Sequence, residues 1–303
     1  MKTTNIIMMT GFMALSFAFM LPARGAEKEA EKATLDTVSI EREIGKAGEA
    51  KGDLYKLSLP RTDLKVTVDG VSVKSGFALG SWIAFKAVTH GAVAHGDLVL
   101  TEQEVAPVVQ ILEARGIQVT ALHNHLIGES PRVMFLHFWG QGEAAGLAQQ
   151  LKQALSKTKT PISEAKKVAT PNEPADFDVE KIQTMLGYTG TVKHGVLHVS
   201  VPRSEAVTEN GVELPPGMGT ATAINIQAAG VNKVASTGDF VMTEQEVNRV
   251  AQALTQHGIQ IMALHNHLLH DSPNLFFMHF WANDTVEHVA QGLKAGLDAM
   301  QRG

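Results

Sequence analysis

The stretch that decides the fold is Gly96–Trp139, GDLVLTEQEVAPVVQILEARGIQVTALHNHLIGESPRVMFLHFW, because it returns later in the chain as Gly238–Trp281. At a fixed offset and without gaps, 26 of the 44 aligned pairs are identical. The match weakens upstream but continues, since Pro60-Arg61 aligns with Pro202-Arg203. A repeat of this length indicates a duplicated structural module. We therefore expect two tandem copies of one fold.

Both copies carry the same signals for helices and strands. In the first copy we predict helices near 36–44, from 101 onwards and over 143–156, and strands over 54–59, 64–73, 82–88, 92–100, 117–126 and 132–139. The dipeptides Asp69-Gly70 and Asn210-Gly211 favour a two-residue turn, so each predicts a β-hairpin. Thr101, with Glu104 three residues later, is typical of a capped helix start. The pattern predicts an α+β fold in which each copy has a mainly antiparallel sheet with packed helices.

The repeats divide the chain into four parts. Residues 1–26 are typical of a signal peptide, because Lys2 precedes the apolar run Ile6–Leu21 and small residues follow it up to Ala26. The apolar run is short for a membrane span, so we expect cleavage near Ala26 and no stable membrane insertion afterwards. The remaining parts are repeat module 1 at 27–157, a linker at 158–176 and repeat module 2 at 177–303. We expect an exported protein, either periplasmic or secreted.

The composition limits the chemistry that the chain can carry. Its formal net charge is −5 and it has no basic block, so we expect no nucleic-acid partner. It has no cysteine, which excludes disulfides and thiolate zinc sites. A metal site must therefore use histidine, carboxylate or carbonyl ligands.

Three histidines in each copy are the strongest candidates for such a site. His123 and His125 lie two residues apart in a predicted strand, so their side chains project from one face. If the antiparallel register pairs residue 123 with residue 137, His137 joins them. The second copy repeats the trio as His265, His267 and His279. Three neutral imidazoles make an open tetrahedral site for a divalent metal ion; zinc is the expected ion, although copper, nickel and iron also fit.

The sequence also gives expected roles or locations for several other residues. Glu129 and Asp271 follow the second histidine of each trio by four residues, so we predict that they assist catalysis as a fourth ligand, a general base or a hydrogen-bond acceptor for a ligand. Arg61 and Arg203 are expected to be exposed. Among the remaining sites we expect core tryptophans at Trp139 and Trp281, and surface histidines at His90, His95, His194, His198 and His270.

Two classes of function follow from this pattern. The first is an exported metal-binding protein with a three-histidine site in each copy, which would suit a metal-dependent hydrolase. The second is a non-enzymatic envelope module that binds a small ligand or a protein and whose histidines are packed and hydrogen-bonded. In a third arrangement, the two trios meet across a pseudo-two-fold interface and form one shared site. The sequence leaves these alternatives and the oligomeric state open.

The doubled motif resembles a known family. Ala121-Leu122-His123-Asn124-His125-Leu126 followed by His137-Phe138-Trp139, present twice, is similar to the LppY/LpqO-like family of exported bacterial proteins, a domain of unknown function. The resemblance implies a bacterial cell-envelope or secreted location and supplies no activity or catalytic residue. LppY and LpqO are named as lipoproteins, whereas this chain has no cysteine to lipidate. That difference favours a soluble exported form.

Overall fold

The computed structural model describes Met1, residues 34–162 and residues 172–300. Apart from Met1, the predicted signal peptide lies outside the described residues, as does the middle of the predicted linker. The described residues of both repeats belong to one compact unit. Within the described part of the chain, no helix is long and apolar enough to cross a membrane.

The first repeat alternates short strands with three helices and one helical turn. Its elements are α1 (Thr37–Ile44), β1 (Glu49–Lys51), β2 (Leu54–Pro60), β3 (Val66–Val68), β4 (Val71–Val73), α2 (Ser75–Ala78), β5 (Gly80–Val88), β6 (Gly91–Thr101), α3 (Glu102–Ala114), β7 (Gln118–His123), β8 (Val133–Gly142) and α4 (Ala144–Leu155). The predicted hairpin is β3–β4, and Asp69 at its turn has a φ of 48°. The predicted capping box at Thr101 and Glu104 is present.

The second repeat follows the same order, with a 3-10 turn in place of α2. Its elements are α5 (Val179–Leu186), β9 (Gly190–Lys193), β10 (Val196–Pro202), β11 (Val207–Glu209), β12 (Val212–Leu214), the 3-10 turn (Pro216–Met218), β13 (Ala221–Gly230), β14 (Lys233–Met242), α6 (Glu244–Gln256), β15 (Gln260–His265), β16 (Asp271–Ser272), β17 (Phe276–Thr285) and α7 (Val286–Met300).

Each repeat builds one six-stranded antiparallel sheet. The strand order is β1-β2-β5-β6-β8-β7 in the first repeat and β9-β10-β13-β14-β17-β15 in the second. The hairpin β11–β12 adds β16 to make a small three-stranded sheet, whereas the hairpin β3–β4 stands as a two-stranded sheet. The structure therefore confirms the predicted α+β fold with two tandem, mainly antiparallel modules.

One face of each large sheet is covered by the helices of its own repeat. Because side chains alternate along a strand, Leu98 and Leu136 point to the face where Leu112 of α3 and Leu151 of α4 pack. The second repeat buries an equivalent cluster around Phe240. Each repeat therefore has a helix-facing core of its own.

The other face of each sheet packs against the other repeat. One buried cluster joins Val99 and Phe135 of the first repeat to Ala235 and Trp281 of the second. Another joins Trp139 to Met218 and Leu268. Trp139 and Trp281, expected in the core, are 3% and 0% exposed. The two sheets thus form the inner layers, and the helices of each repeat form an outer layer.

The expectation that Arg61 and Arg203 are exposed is wrong. Arg61 is 0% exposed, and its Nη1 donates to the Val99 carbonyl at 2.6 Å and to the Glu104 carboxylate at 2.7 Å. Arg203 makes the same contacts with Val241 and Glu246, at 2.8 and 2.9 Å. Each capping-box glutamate supplies the counter-charge that lets the arginine be buried beneath the helix start.

The buried pair of Arg61 and Glu104 yields a stability prediction. We expect Glu104→Ala to lower the free energy of unfolding by about 3–5 kcal/mol, because it removes the more buried of the two carboxylates that pair with the guanidinium, leaving Asp63, and also removes a helix cap. Urea unfolding followed by far-UV circular dichroism measures this change. The matched control is Glu102→Ala, an exposed acidic residue in the same helical turn, for which we expect a loss below about 1 kcal/mol. Equal losses in the two variants would contradict the account.

Candidate metal centre

Strand pairing places two histidines of each trio on the inner face of the sheet. The predicted pairing of residue 123 with residue 137 is wrong: His137 pairs with Ala121, and His123 pairs with Phe135. A bulge between Val119 and Ala121 shifts the register by one residue, and the pairings of both histidines lie beyond it. Because the offset between the two histidines is two residues, their side chains still share a face. The second repeat has the same bulge and the same pairings, shown by His265 opposite Phe277.

The remaining histidine of each trio lies just beyond the strand. His125 follows the end of β7, and its ring stacks on Phe135 with centroids 3.4 Å apart. The amide Nδ2 of Asn124 donates to the Leu126 carbonyl at 3.0 Å and holds this turn. In the second repeat, His267 stacks on Phe277 at 3.6 Å. In each repeat this histidine lies beyond the end of its own strand, and a phenylalanine on the neighbouring strand orients its ring.

The structure brings all six histidines into one cluster between the sheets. The rings of His123 and His265, which are equivalent in the two repeats, stack with centroids 3.6 Å apart. His125 stacks on His279 at 3.8 Å, and the equivalent pair His137 and His267 is also 3.8 Å apart. These matched distances show that the trios meet across a pseudo-two-fold relation, which is the contact that the third arrangement required.

Within each trio the spacing suits a tetrahedral ion. The centroid of His123 lies 5.0 Å from that of His125 and 5.1 Å from that of His137. The centroid of His265 lies 4.9 Å from those of His267 and His279, which are 5.8 Å from each other. An ion about 2.0–2.1 Å from three imidazole nitrogens at tetrahedral angles sets their centroids about 5 Å apart. Each trio is therefore close to metal-binding geometry.

The ligand atoms themselves form two overlapping groups. In each group the candidate nitrogens all lie within 4.8 Å of one another. The first group is the trio of the first repeat, and the second is the trio of the second repeat together with His123. These histidine clusters can hold a metal ion, and His123 is within reach of both groups.

In three of the six rings, a hydrogen bond at Nδ1 leaves Nε2 available, and in His137 both ring nitrogens lack a partner among the described residues. Nδ1 of His279 lies 3.1 Å from the Gly238 carbonyl, and those of His265 and His123 lie 3.2 and 3.4 Å from backbone carbonyls. A ring nitrogen facing a carbonyl must carry the proton, so Nε2 keeps its lone pair. Across the described residues, Nε2 of all six histidines is buried and has no hydrogen-bond partner.

Burial also keeps the rings neutral. Desolvation is the main cause that lowers the pKa of every histidine in the cluster, and for most of them the charges of neighbouring rings lower it further. The pKa of His123 falls to about 3. Metal ligation requires neutral imidazole, so the cluster is ready to bind a metal at neutral pH.

Two carboxylates beside the cluster were missed from the sequence. Asp97 pairs with His137 across β6 and β8, and its Oδ2 lies 3.9 Å from His137 Nε2. Asp239 pairs with His279 in the same way. Burial, followed by the charge of Asp239, raises the pKa of Asp97 well above its usual range, and burial raises the pKa of Asp239 to about 7. An aspartate repeated within an otherwise apolar strand was the signal that could have revealed them.

The carboxylates chosen from the sequence lie elsewhere. Glu129 is 7% exposed, and Arg132 Nε is 3.8 Å from its Oε1. Asp271 accepts a hydrogen bond from the Leu275 backbone nitrogen at 2.8 Å. Among the described residues, the groups of candidate ligand atoms contain histidines alone, so Glu129 and Asp271 are outside them, as are Asp97 and Asp239. Their catalytic role stays a prediction.

One histidine expected at the surface is buried beside the cluster. His95 is 2% exposed; its Nδ1 donates to the Phe138 carbonyl at 2.8 Å, and its ring lies 5.8 Å from that of His137. In the second repeat, Thr237 replaces it and donates to the equivalent Phe280 carbonyl at 2.9 Å. His95 was wrongly expected at the surface, because a single hydrogen bond is enough for a neutral imidazole ring to be buried. The other four are half-buried (His198) or exposed: His90, His194 and His270.

The fold and the cluster define a duplicated α+β protein with a buried histidine centre. The model of a family described as Domain of Unknown Function (DUF1259) matches residues 38–157 and again residues 180–299. The chain belongs to this family and contains its domain twice. The two matches cover the two repeats that the sequence revealed.

Other comparisons add little to this assignment. No curated protein matches the chain. Among solved structures, a trimeric bacterial microcompartment shell protein, PduB, is 12% identical with a TM-score of 0.22, and EtuB from Clostridium kluyveri is 10% identical with a TM-score of 0.20. In both cases the match covers 84% of this chain and 89% of the other. These scores are too low to support an argument about function.

Burial of His95 predicts a loss of stability in acid. Its pKa falls from 6.5 to about 4 in the folded protein, chiefly through desolvation. Between pH 6.5 and pH 4, His95 is protonated in the unfolded chain but stays neutral in the folded protein. Acid therefore favours the unfolded chain, and the contribution of neutral His95 to the free energy of unfolding is lost over this range. We expect His95→Thr, which installs the residue of the second repeat, to reduce the drop in unfolding free energy over that range by about 3 kcal/mol.

Urea unfolding of chelator-treated protein at a series of pH values measures this difference. The exposed His90→Thr is the matched control and should keep the wild-type profile. Comparing the change across pH, rather than stability at one pH, separates proton uptake from any packing defect. If His95→Thr followed the wild-type curve throughout, the account of His95 would be wrong.

Proposed function

We propose that this chain is an exported protein that binds two divalent metal ions side by side, one in each histidine trio. Zinc is the expected ion, because imidazole suits it and the within-trio spacing fits its tetrahedral preference. One observation carries the proposal: six buried Nε2 atoms face one region between the sheets without hydrogen-bond partners in the described residues. Leaving so many buried polar atoms unpaired is costly unless something binds them.

The ring geometry favours two ions over one shared ion. Rings of the same trio sit about 5 Å apart at their centroids, as a common ion requires. Each ring also stacks on one ring of the other trio at 3.6 to 3.8 Å. The ring of His123 lies in addition 5.0 Å from His267 and 5.4 Å from His279, which keeps it within reach of the second group. The alternative is a single ion held by the trio of the second repeat, with His123 as the fourth ligand.

The same arrangement supports hydrolysis as a second candidate function. A trio supplies three ligands, which leaves a coordination position for water or substrate. An ion bound there lowers the pKa of its water to about 7 and can polarise a carbonyl. The protein side supplies neutral ligands, a largely dry setting and the nearby carboxylate of Asp97. A screen of ester, amide and phosphoester substrates, run with metal-loaded and metal-free protein, tests this candidate.

The resemblance to the LppY/LpqO-like family supports an envelope location. We place the mature protein in the bacterial periplasm or outside the cell. Cleavage near Ala26 should produce a chain that lacks the apolar run Ile6–Leu21. Intact-mass measurement of protein recovered from the periplasm of an expression host checks this, and a chain that kept residues 1–26 would contradict it.

Metal stoichiometry tests the main proposal. Mature protein, stripped with a chelator and dialysed against zinc, should retain about two ions per chain by elemental analysis. His137→Ala should remove the ion of the first repeat, and His279→Ala that of the second, leaving about one ion in each case. The double variant should bind none. Matched controls are His90→Ala and His194→Ala, exposed histidines outside the cluster, which should keep both ions.

Other outcomes would point to the alternatives. About one ion in the wild type, lost on His279→Ala but kept on His137→Ala, would indicate the shared site completed by His123. No retained zinc, nickel or copper would leave the histidines as packed side chains and favour a non-enzymatic module that binds a ligand or a protein. Both results would overturn the proposal of two ions.

A further inference from the structure

We propose that Asp97 and Asp239 are the carboxylate ligands of the centre, one for the ion of each repeat. This inference rests on the proposed function, because it assigns the anionic donors of the same site. It concerns carboxylates other than Glu129 and Asp271, whose catalytic role stays a separate prediction.

Distance is the first argument. Asp97 Oδ2 lies 3.9 Å from His137 Nε2, the atom assigned to the ion. Two ligand atoms each about 2.1 Å from one ion are about 3.4 Å apart at the tetrahedral angle, so a shift of about 0.5 Å would bring Oδ2 onto an ion held by His137. Oδ1 of Asp97 is buried and has no hydrogen-bond partner among the described residues, and the residue is 7% exposed. The carboxylate is therefore close enough and not otherwise engaged.

Charge is the second argument. Two divalent ions held by neutral imidazoles would place four positive charges between two largely apolar sheet faces, which is unfavourable without anions. The carboxylates of Asp97 and Asp239, ionised when the ions bind, would supply two negative charges that offset them. Lys56 lies near enough to Asp97 to interact with it electrostatically.

Symmetry is the third argument. Asp97 pairs with His137, and Asp239 with His279, so each trio has an aspartate at the same position on the adjacent strand. Lys56 has no such equivalent, because the residue at its place in the second repeat is His198, which bonds the Asn225 side chain at 2.8 Å. A metal-binding role accounts for the feature that both repeats share. A salt bridge to Lys56 would account for only one.

Cobalt binding tests the assignment, because Co²⁺ occupies zinc-type sites and its visible spectrum reports on the ligand set. Wild-type protein should bind about two cobalt ions. Asp97→Asn and Asp239→Asn should each weaken one of the two sites by about 10–100-fold and change its visible absorption. The matched controls Glu102→Gln and Glu244→Gln alter exposed carboxylates at equivalent positions of the two repeats and should leave affinity and spectrum unchanged.

Stability of the metal-free protein separates ligation from a structural role. Asn has nearly the shape of Asp and carries no charge, so removing a buried carboxylate should leave the metal-free variants at least as resistant to urea as the wild type. Weaker cobalt binding without loss of metal-free stability supports ligation. A parallel loss of both would indicate a structural role and overturn the inference.

The cobalt experiment distinguishes failure of the proposed metal binding from failure of the aspartate assignment. If wild-type protein bound no cobalt, the proposed metal-binding function would fall, and this inference with it. If wild-type protein bound cobalt, but Asp97→Asn and Asp239→Asn matched Glu102→Gln in affinity and spectrum, only the assignment of the aspartates would be wrong.

Discussion

The packing of one sheet against its duplicate is the contact on which the rest of the structure depends. Each repeat buries one sheet face under its own helices, but the opposite face carries both apolar residues such as Val99 and the histidine trio. That face can be buried only against a surface with a similar arrangement of apolar residues and imidazoles. The other repeat supplies such a surface because duplication made it nearly the same, so apolar residues meet apolar residues and imidazoles stack on imidazoles.

This packing has an energetic consequence for the histidines. Stacked neutral rings contribute favourable contacts, but a buried ring nitrogen without a partner costs free energy. The protein keeps six such atoms together. Arg61 is the opposite case, because its buried guanidinium donates hydrogen bonds to a backbone carbonyl and to carboxylate oxygens. The protein thus bonds the buried guanidinium fully but leaves six ring nitrogens without hydrogen-bond partners. This contrast is typical of a protein in which metal binding contributes to folding.

Much of the architecture could be predicted from local sequence. The hairpin at Asp69-Gly70 and the capped start of α3 followed from residues close together in the chain, and the repeat doubled each signal. The shared face of His123 and His137 also followed, because strand periodicity survives a register change of two residues.

What could not be predicted depends on contacts between distant residues. The bulge that shifts the pairing of His137 is set by the fit of neighbouring strands. The burial of Arg61 depends on Glu104, which reaches it only in the folded chain. Asp97 gained importance only when β6 was found beside β8, and the meeting of the trios required knowledge of how the repeats dock. Local patterns fix which face a residue takes, and they do not reveal what that face will meet.

The most direct test of the central claim is anomalous diffraction at the zinc edge from crystals of the zinc-loaded protein. The account predicts two zinc peaks between the sheets, each about 2.0–2.1 Å from three Nε2 atoms of a single repeat. Zinc found only at exposed histidines such as His90, with the six clustered rings still stacked and no peak among them, would contradict it.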